Sequence, residues 1–188
     1  MKKLIENIVS LPKWYGLMIV LMYAVFFAEF ILALNKLYIS SGIGFSGIIN
    51  TLMRINYVIM ILSGIIVWII CSLLFHLTAL LFNGKMEFSK FLFAASYPFI
   101  IPAIAIFIAI WFLSNIDIVK EDNMMQFIEQ NSHIKMIMSI INYSFVPYYL
   151  IVICVIRHLY NLKWLYALLS VVIPVLSIWV ITELFNLL

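Results

Sequence analysis

The groups in this chain best able to do chemistry are few, and they lie in apolar surroundings. Glu29 and Glu183 are carboxylates inside long apolar runs, and His76, Tyr97 and Asn142 are polar residues inside three others. An acid at the centre of a helix in hydrocarbon costs about 2.5–3.5 kcal/mol, so such residues pair, face an interior or mark a pathway. Glu29 and Glu183 fall at similar depth near one end of their runs, where two carboxylates could ring a cavity. His76 and Tyr97 fall at matching depth across a short turn, and a hydrogen bond between them would satisfy two buried polar groups. The alternative for His76 is a pH-sensitive or substrate-contacting role. Asn142 suits hydrogen bonding between helices.

Other candidate chemistry is weaker. Cys154 and His158 are four residues apart and share a helical face, but a zinc site takes about three or four protein ligands. No metal centre is expected. Cys71 and Cys154 both fall in apolar runs and read as small hydrophobes, not as a disulfide framework. Gly42, Gly44 and Gly47 spell GxGxxG. The dinucleotide fingerprint needs a preceding strand, a following helix and an acid about 20 residues on. Here an apolar run precedes it, so a flexible or interface-hugging loop is the better account. HExxH, GxSxG, P-loop and paired-cysteine motifs are absent from the sequence. The chain is therefore expected to be non-enzymatic and to use no cofactor.

The elements that must position these groups are five apolar runs, near residues 14–34, 57–81, 91–113, 136–156 and 164–185. About 20 apolar residues, at about 1.5 Å per residue, cross a hydrocarbon core of about 30 Å. Backbone groups in that core must pair within their own segment, so the runs are predicted to be helices. The chain is 66% hydrophobic and 10% charged, with a mean hydropathy of +1.18. A water-soluble domain of this size could not hide so much apolar surface. The expectation is an all-α, polytopic membrane bundle of five transmembrane helices, a single integral membrane domain over residues 1–188. In residues 1–13, Leu4, Ile5, Ile8 and Val9 share a face opposite Lys2, Lys3, Glu6, Asn7 and Ser10, as in a short interfacial helix. No cleaved signal peptide is expected.

Charge sets the expected orientation. With the N-terminus inside, the inner face holds Lys2, Lys3, Lys13, Lys85, Lys90, Arg157 and Lys163. The outer face holds Lys36, Arg54, Lys120 and Lys135. This excess favours a cytoplasmic N-terminus and an outer C-terminus. The net charge of +3 is spread along the chain and supports contact with a membrane surface, not a nucleic-acid groove.

Small residues mark the faces expected to pack. Ala95, Pro98, Pro102, Ala105 and Ala109 recur at helical spacing in the third run. Ala167, Ser170, Pro174 and Ser177 do so in the fifth. Small stripes allow close backbone approach in lipid, so the third and fifth helices are expected inside the bundle. Pro98, Pro102, Pro147 and Pro174 each remove a backbone donor, which predicts kinks or hinges. Gly84 is expected to cap the second helix, and the Arg157–Trp164 turn repeats that arrangement later in the chain. Between 114 and 135, Met124, Phe127 and Ile128 suit a short surface helix capped by Asp122, or a solvated loop.

One stretch carries a family resemblance. Ala79-Leu80-Leu81-Phe82-Asn83-Gly84-Lys85-Met86-Glu87-Phe88-Ser89-Lys90-Phe91-Leu92 is followed by Ala94-Ala95-Ser96-Tyr97-Pro98 and Pro102. It resembles the glycine turn and the Tyr/Ser-to-Pro helix opening of the Yip (Ypt-interacting-protein) domain family, over roughly residues 55–185. Asn83 stands where a second glycine is often found. The long N-terminal segment and the Asp-Leu-Tyr-Gly-Pro motif of eukaryotic members are missing. The resemblance implies five membrane helices and a small bacterial member in the cytoplasmic membrane. It transfers no Rab-GTPase or vesicle-traffic role.

Two functions follow as expectations. The first is a non-enzymatic membrane protein that organises the bilayer or accompanies other membrane proteins or itself, such as an export complex, or that confers resistance to membrane-active peptides. The second is a small transporter or lipid-handling protein with a polar cavity bearing Glu29, His76, Tyr97, Asn142 and Glu183.

Overall fold

The apolar runs are helices in the computed structural model, which describes residues 5, 7, 10–40, 48–115 and 131–186. Helix α1 spans Lys13–Ser40, α2 Ile48–Leu81, α3 Phe88–Ala94, α4 Ile100–Leu113, α5 Ser132–Tyr160 and α6 Trp164–Asn186. A 3-10 turn, Tyr97–Phe99, separates α3 from α4. The described residues contain no strand. Five stretches are long and apolar enough to cross a membrane: Lys13–Lys36, Ile55–Leu81, Phe88–Leu113, Ser132–Tyr160 and Trp164–Leu184. These match the five runs closely, and the architecture is that of a multi-pass membrane protein.

Near the N-terminus, Ile5 is helical and buried, while Asn7 and Ser10 are helical and exposed, in keeping with a two-faced segment. Leu4, Ile8 and Val9, the Gly42–Gly47 loop, and the Met124, Phe127 and Ile128 segment with Asp122 lie outside the described residues. The start of α5 is fixed by Asn131. Its Oδ1 accepts from the amides of His133 at 3.0 Å and Ile134 at 3.3 Å, which satisfies two of the donors a helix start leaves over.

The third run is two helices, because its prolines fall close together. Pro98 has no amide to donate to the Ala94 carbonyl, and the residue before a proline is disfavoured in helical geometry. The turn tightens instead. The Ser96 amide bonds the Phe93 carbonyl at 3.3 Å, and the Ser96 hydroxyl donates to the same oxygen at 2.5 Å. Gly16 of α1 packs on this break, where a Cβ would come within 2.0 Å of Ser96 Oγ. Pro147 and Pro174 remain within continuous helices.

The packing expectation holds for one stripe and needs correction for the other. Ala95, Pro98, Pro102, Ala105 and Ala109 are all buried, and 61% of the third span's most apolar stretch is buried. In the fifth span the figure is 22%. Ala167, Ser170 and Pro174 are buried, but Ser177 and everything from 178 to 184 is exposed. A short stripe permits close approach over its own turns and says nothing about the rest of the helix. The fifth helix is therefore packed only along its first half.

By internal contacts the chain divides into two compact units. One comprises residues 1–18, 66–98 and 148–188, the other 19–65 and 99–147. The boundaries fall within α1 and α2, in the 3-10 turn after Pro98, and in α5 after Pro147. The first unit contains both short turns between helices. Its core includes Phe75, Ala79, Phe91, Val152, Ile156, Ala167 and Val171, each at most 2% exposed. In the second, Tyr23 meets Phe99 edge to face at 5.1 Å and Phe26 meets Phe107 at 5.5 Å, and Ala28, Ala103 and Ala109 are buried.

Candidate functional site

The polar chemistry of the first unit gathers around its two turns. Both turns are spelled Leu-aromatic-Asn-x-Lys: Leu81-Phe82-Asn83-Gly84-Lys85 and Leu159-Tyr160-Asn161-Leu162-Lys163. In each, the asparagine has positive φ, 63° at Asn83 and 52° at Asn161. Asparagine tolerates that left-handed region better than most residues and closes a helix there. At the first turn the Gly84 amide bonds the Ala79 carbonyl at 3.0 Å and the Asn83 amide bonds Leu80 at 2.9 Å. This is the double bond of a Schellman motif. The expected cap is therefore displaced by one residue: Asn83 supplies the left-handed conformation. Gly84 is needed for a different reason, since a Cβ there would lie 2.8 Å from the Ala79 carbonyl and 2.8 Å from the Tyr160 ring.

Tyr160 is also the partner of His76. The expected His76–Tyr97 bond is not made. His76 Nδ1 shares a hydrogen bond with the Tyr160 hydroxyl, and its ring lies beside Phe88 and Phe91, centroids 5.2 and 6.4 Å away. Tyr97 donates its hydroxyl to the Pro12 carbonyl at 2.8 Å. Matching depth in the sequence could not tell which neighbouring helix His76 would face. A third polar tie joins α2 to α6, where Thr78 Oγ1 lies 2.9 Å from the Ser170 carbonyl. The aromatic residues pair crosswise: Tyr160 of the second turn meets Phe91 beyond the first, at 5.5 Å, and Phe82 of the first meets Tyr166 beyond the second, at 5.3 Å. Trp68 Nε1 and Ser72 Oγ, four residues apart on α2, are buried with no hydrogen-bond partner.

The second turn opens onto a groove of about 410 Å³. Ile5, Cys154, Arg157, His158, Asn161 and Trp164 line it, with Leu162. The Arg157 guanidinium stacks over the Trp164 ring at 4.2 Å from its centroid. Cys154 and His158 thus share a surface, as their spacing implies. No group of three His, Cys, Asp or Glu side chains poised for a metal occurs among the described residues.

The second unit holds a separate polar pair. Tyr57 donates its hydroxyl to Glu29 Oε1 at 2.9 Å, and Glu29 is exposed. Beside Tyr57 is a cavity of about 10 Å³, about the space one water needs. Asn35 and Asn56 line it with Ala28 and Met60. Compared with family models, curated proteins and solved structures, the chain finds no match.

The five residues singled out from sequence are thus distributed. Glu29 and Asn142 belong to the second unit, and His76, Tyr97 and Glu183 to the first. Asn142 and Glu183 are exposed, and none of the five lines the groove or the water-sized cavity. Sequence reasoning missed Tyr57, Thr78 and Tyr160 as partners. The signal for Tyr160 was present in the repeated Leu-aromatic-Asn-x-Lys turn. Nothing in the sequence marked Tyr57 out from the other tyrosines.

Proposed function

We propose that this chain is a non-enzymatic, Yip-like protein of a bacterial cytoplasmic membrane, with its N-terminus in the cytoplasm and its C-terminus outside. In this reading it organises the bilayer or accompanies other membrane proteins or copies of itself. An export complex or a defence against membrane-active peptides would suit such a role. The observation that carries the reading is the use of buried and half-buried polar groups as ties. His76–Tyr160, Thr78–Ser170 and Tyr97–Pro12 each fasten one segment to another. Interhelical hydrogen bonds of this kind hold a bundle together in lipid, while exposed Ile178, Trp179, Val180, Ile181 and Leu184 of α6 leave a lateral apolar surface. Single cysteines at Ile178 and Ile181 test it by cross-linking in native membranes. A discrete cross-linked species is expected, and monomer alone at both positions would remove the support.

The second reading, a small transporter or lipid-handling protein, is favoured by the Glu29–Tyr57 pair. Both residues lie within membrane-length apolar helices, where a carboxylate is costly unless partnered. Glu29→Gln would then alter transport and its pH dependence at unchanged protein abundance. Parent-like behaviour, or simple misfolding, counts against this reading.

A further inference from the structure

We propose that the groove at the second turn binds the phosphate of an anionic phospholipid headgroup. Its position argues for a lipid. The groove lies where the span Ser132–Tyr160 ends and the span Trp164–Leu184 begins, which is the depth of headgroups for any chain that crosses the bilayer there. Its chemistry argues for an anion. Arg157 and His158 are both exposed and line it, and among the described residues no Asp or Glu does. Arg157 makes no ion pair among the described residues. Its guanidinium face is taken up by Trp164, which leaves the planar edge with its N–H donors for an oxygen pair. Asn161, held at the turn by its left-handed backbone, adds an amide beside it, and α6 begins at Trp164 with first-turn amides that lack helical acceptors. The apolar members distinguish a lipid from a free phosphate. Ile5, buried in the N-terminal segment, and Leu162 give the glycerol and upper acyl carbons a wall that a soluble anion would not use. At about 410 Å³ the groove falls within the range of about 300–1,000 Å³ common for small-ligand sites.

The inference rests on the multi-pass membrane reading, which alkaline carbonate extraction of membranes tests separately. Release of the chain by carbonate defeats that reading, whereas retention leaves the groove to be judged alone. The full chain, purified in detergent, is titrated with phosphatidylglycerol and with phosphatidylcholine, and bound lipid is counted by native mass spectrometry. Phosphatidylglycerol is expected to bind in preference, and Arg157→Gln to weaken it about fivefold, as for one cationic contact. Lys85→Gln, which removes a cation of the other turn that lies outside the groove, should change it by less than about twofold. Equal losses in both variants would mean diffuse attraction and overturn the site, as would no loss in either. Displacement of the lipid by millimolar glycerol 1-phosphate would reassign the site to a soluble phosphate. An independent readout uses the unaltered groove: in a Cys71→Ser chain, phosphatidylglycerol should slow maleimide labelling of Cys154 and phosphatidylcholine should not. Equal labelling in the two lipids overturns the proposal even where Arg157→Gln fails to fold.

Discussion

The two short turns begin from almost the same five residues and end as different objects. Each closes a helix with an asparagine at positive φ and sets an aromatic residue just before it. At the first turn Gly84 is buried and Tyr160 lies against it, so backbone and ring seal the space. At the second, Leu162 occupies the place of Gly84, and the turn borders an open groove lined by Arg157, His158 and Trp164. A shared local device, the left-handed asparagine, sets where each helix stops. Whether the turn then packs or opens depends on one neighbouring side chain and on what reaches it from another helix.

The comparison breaks first at Gly84. Gly84→Leu makes the first turn spell like the second and drives a side chain into the Ala79 carbonyl and the Tyr160 ring. A loss of about 3 kcal/mol is expected, at the upper end of overpacking costs, read as a lowered unfolding midpoint in detergent. Leu162→Gly, the reverse change, should cost about 1 kcal/mol through a half-buried side chain. Similar costs for the two would mean that the turns do not differ in packing.

Tyr160→Phe keeps the ring against Gly84 and removes only the hydroxyl that His76 uses. Leaving a buried imidazole nitrogen unsatisfied should cost about 1–3 kcal/mol. Unchanged stability would show that His76 is tied to the bundle by its rings alone. Next in size are the caps. Asn83→Ala and Asn161→Ala should each cost up to about 1 kcal/mol, because alanine keeps the Cβ but loses the short polar side chain that makes the left-handed region tolerable for asparagine, whereas glycine at either site, with no Cβ, should be neutral or stabilising. A large difference between the two alanine variants would separate turns that the backbone makes alike.

The smallest effect is expected away from both turns. Ser72 is buried on α2 with its hydroxyl unpartnered, so Ser72→Ala removes an unsatisfied group and should change stability by less than about 0.5 kcal/mol, in either direction. A clear destabilisation in the same unfolding measurement would reveal a partner for Ser72 in the folded protein.

Much of this molecule could be read before it was seen folded. Five apolar runs become five membrane-length helices, because hydrocarbon leaves the backbone no partner but itself. The break in the third run follows from Pro98 and Pro102, which act on their own backbone. The burial of Ala95, Ala105 and Ala109 follows from their spacing on one face. These are local or periodic properties, and the chain carries them in its order of residues.

Partner choice was not local. His76 had several hydroxyls at suitable depth, and only the approach of α5 decided for Tyr160 over Tyr97. Glu29 was conspicuous alone, but its hydrogen bond to Tyr57 needed α1 and α2 to meet in one register. Arg157 looked like one more basic residue at a span end until Trp164 came under its guanidinium and left a groove beside it. Length, hydropathy and proline placement determine which segments are helices and where they stop. Which side chains face one another depends on how those helices rotate and approach, and only the tertiary structure decided that, because in a bundle so uniformly apolar many rotations bury nearly the same surface.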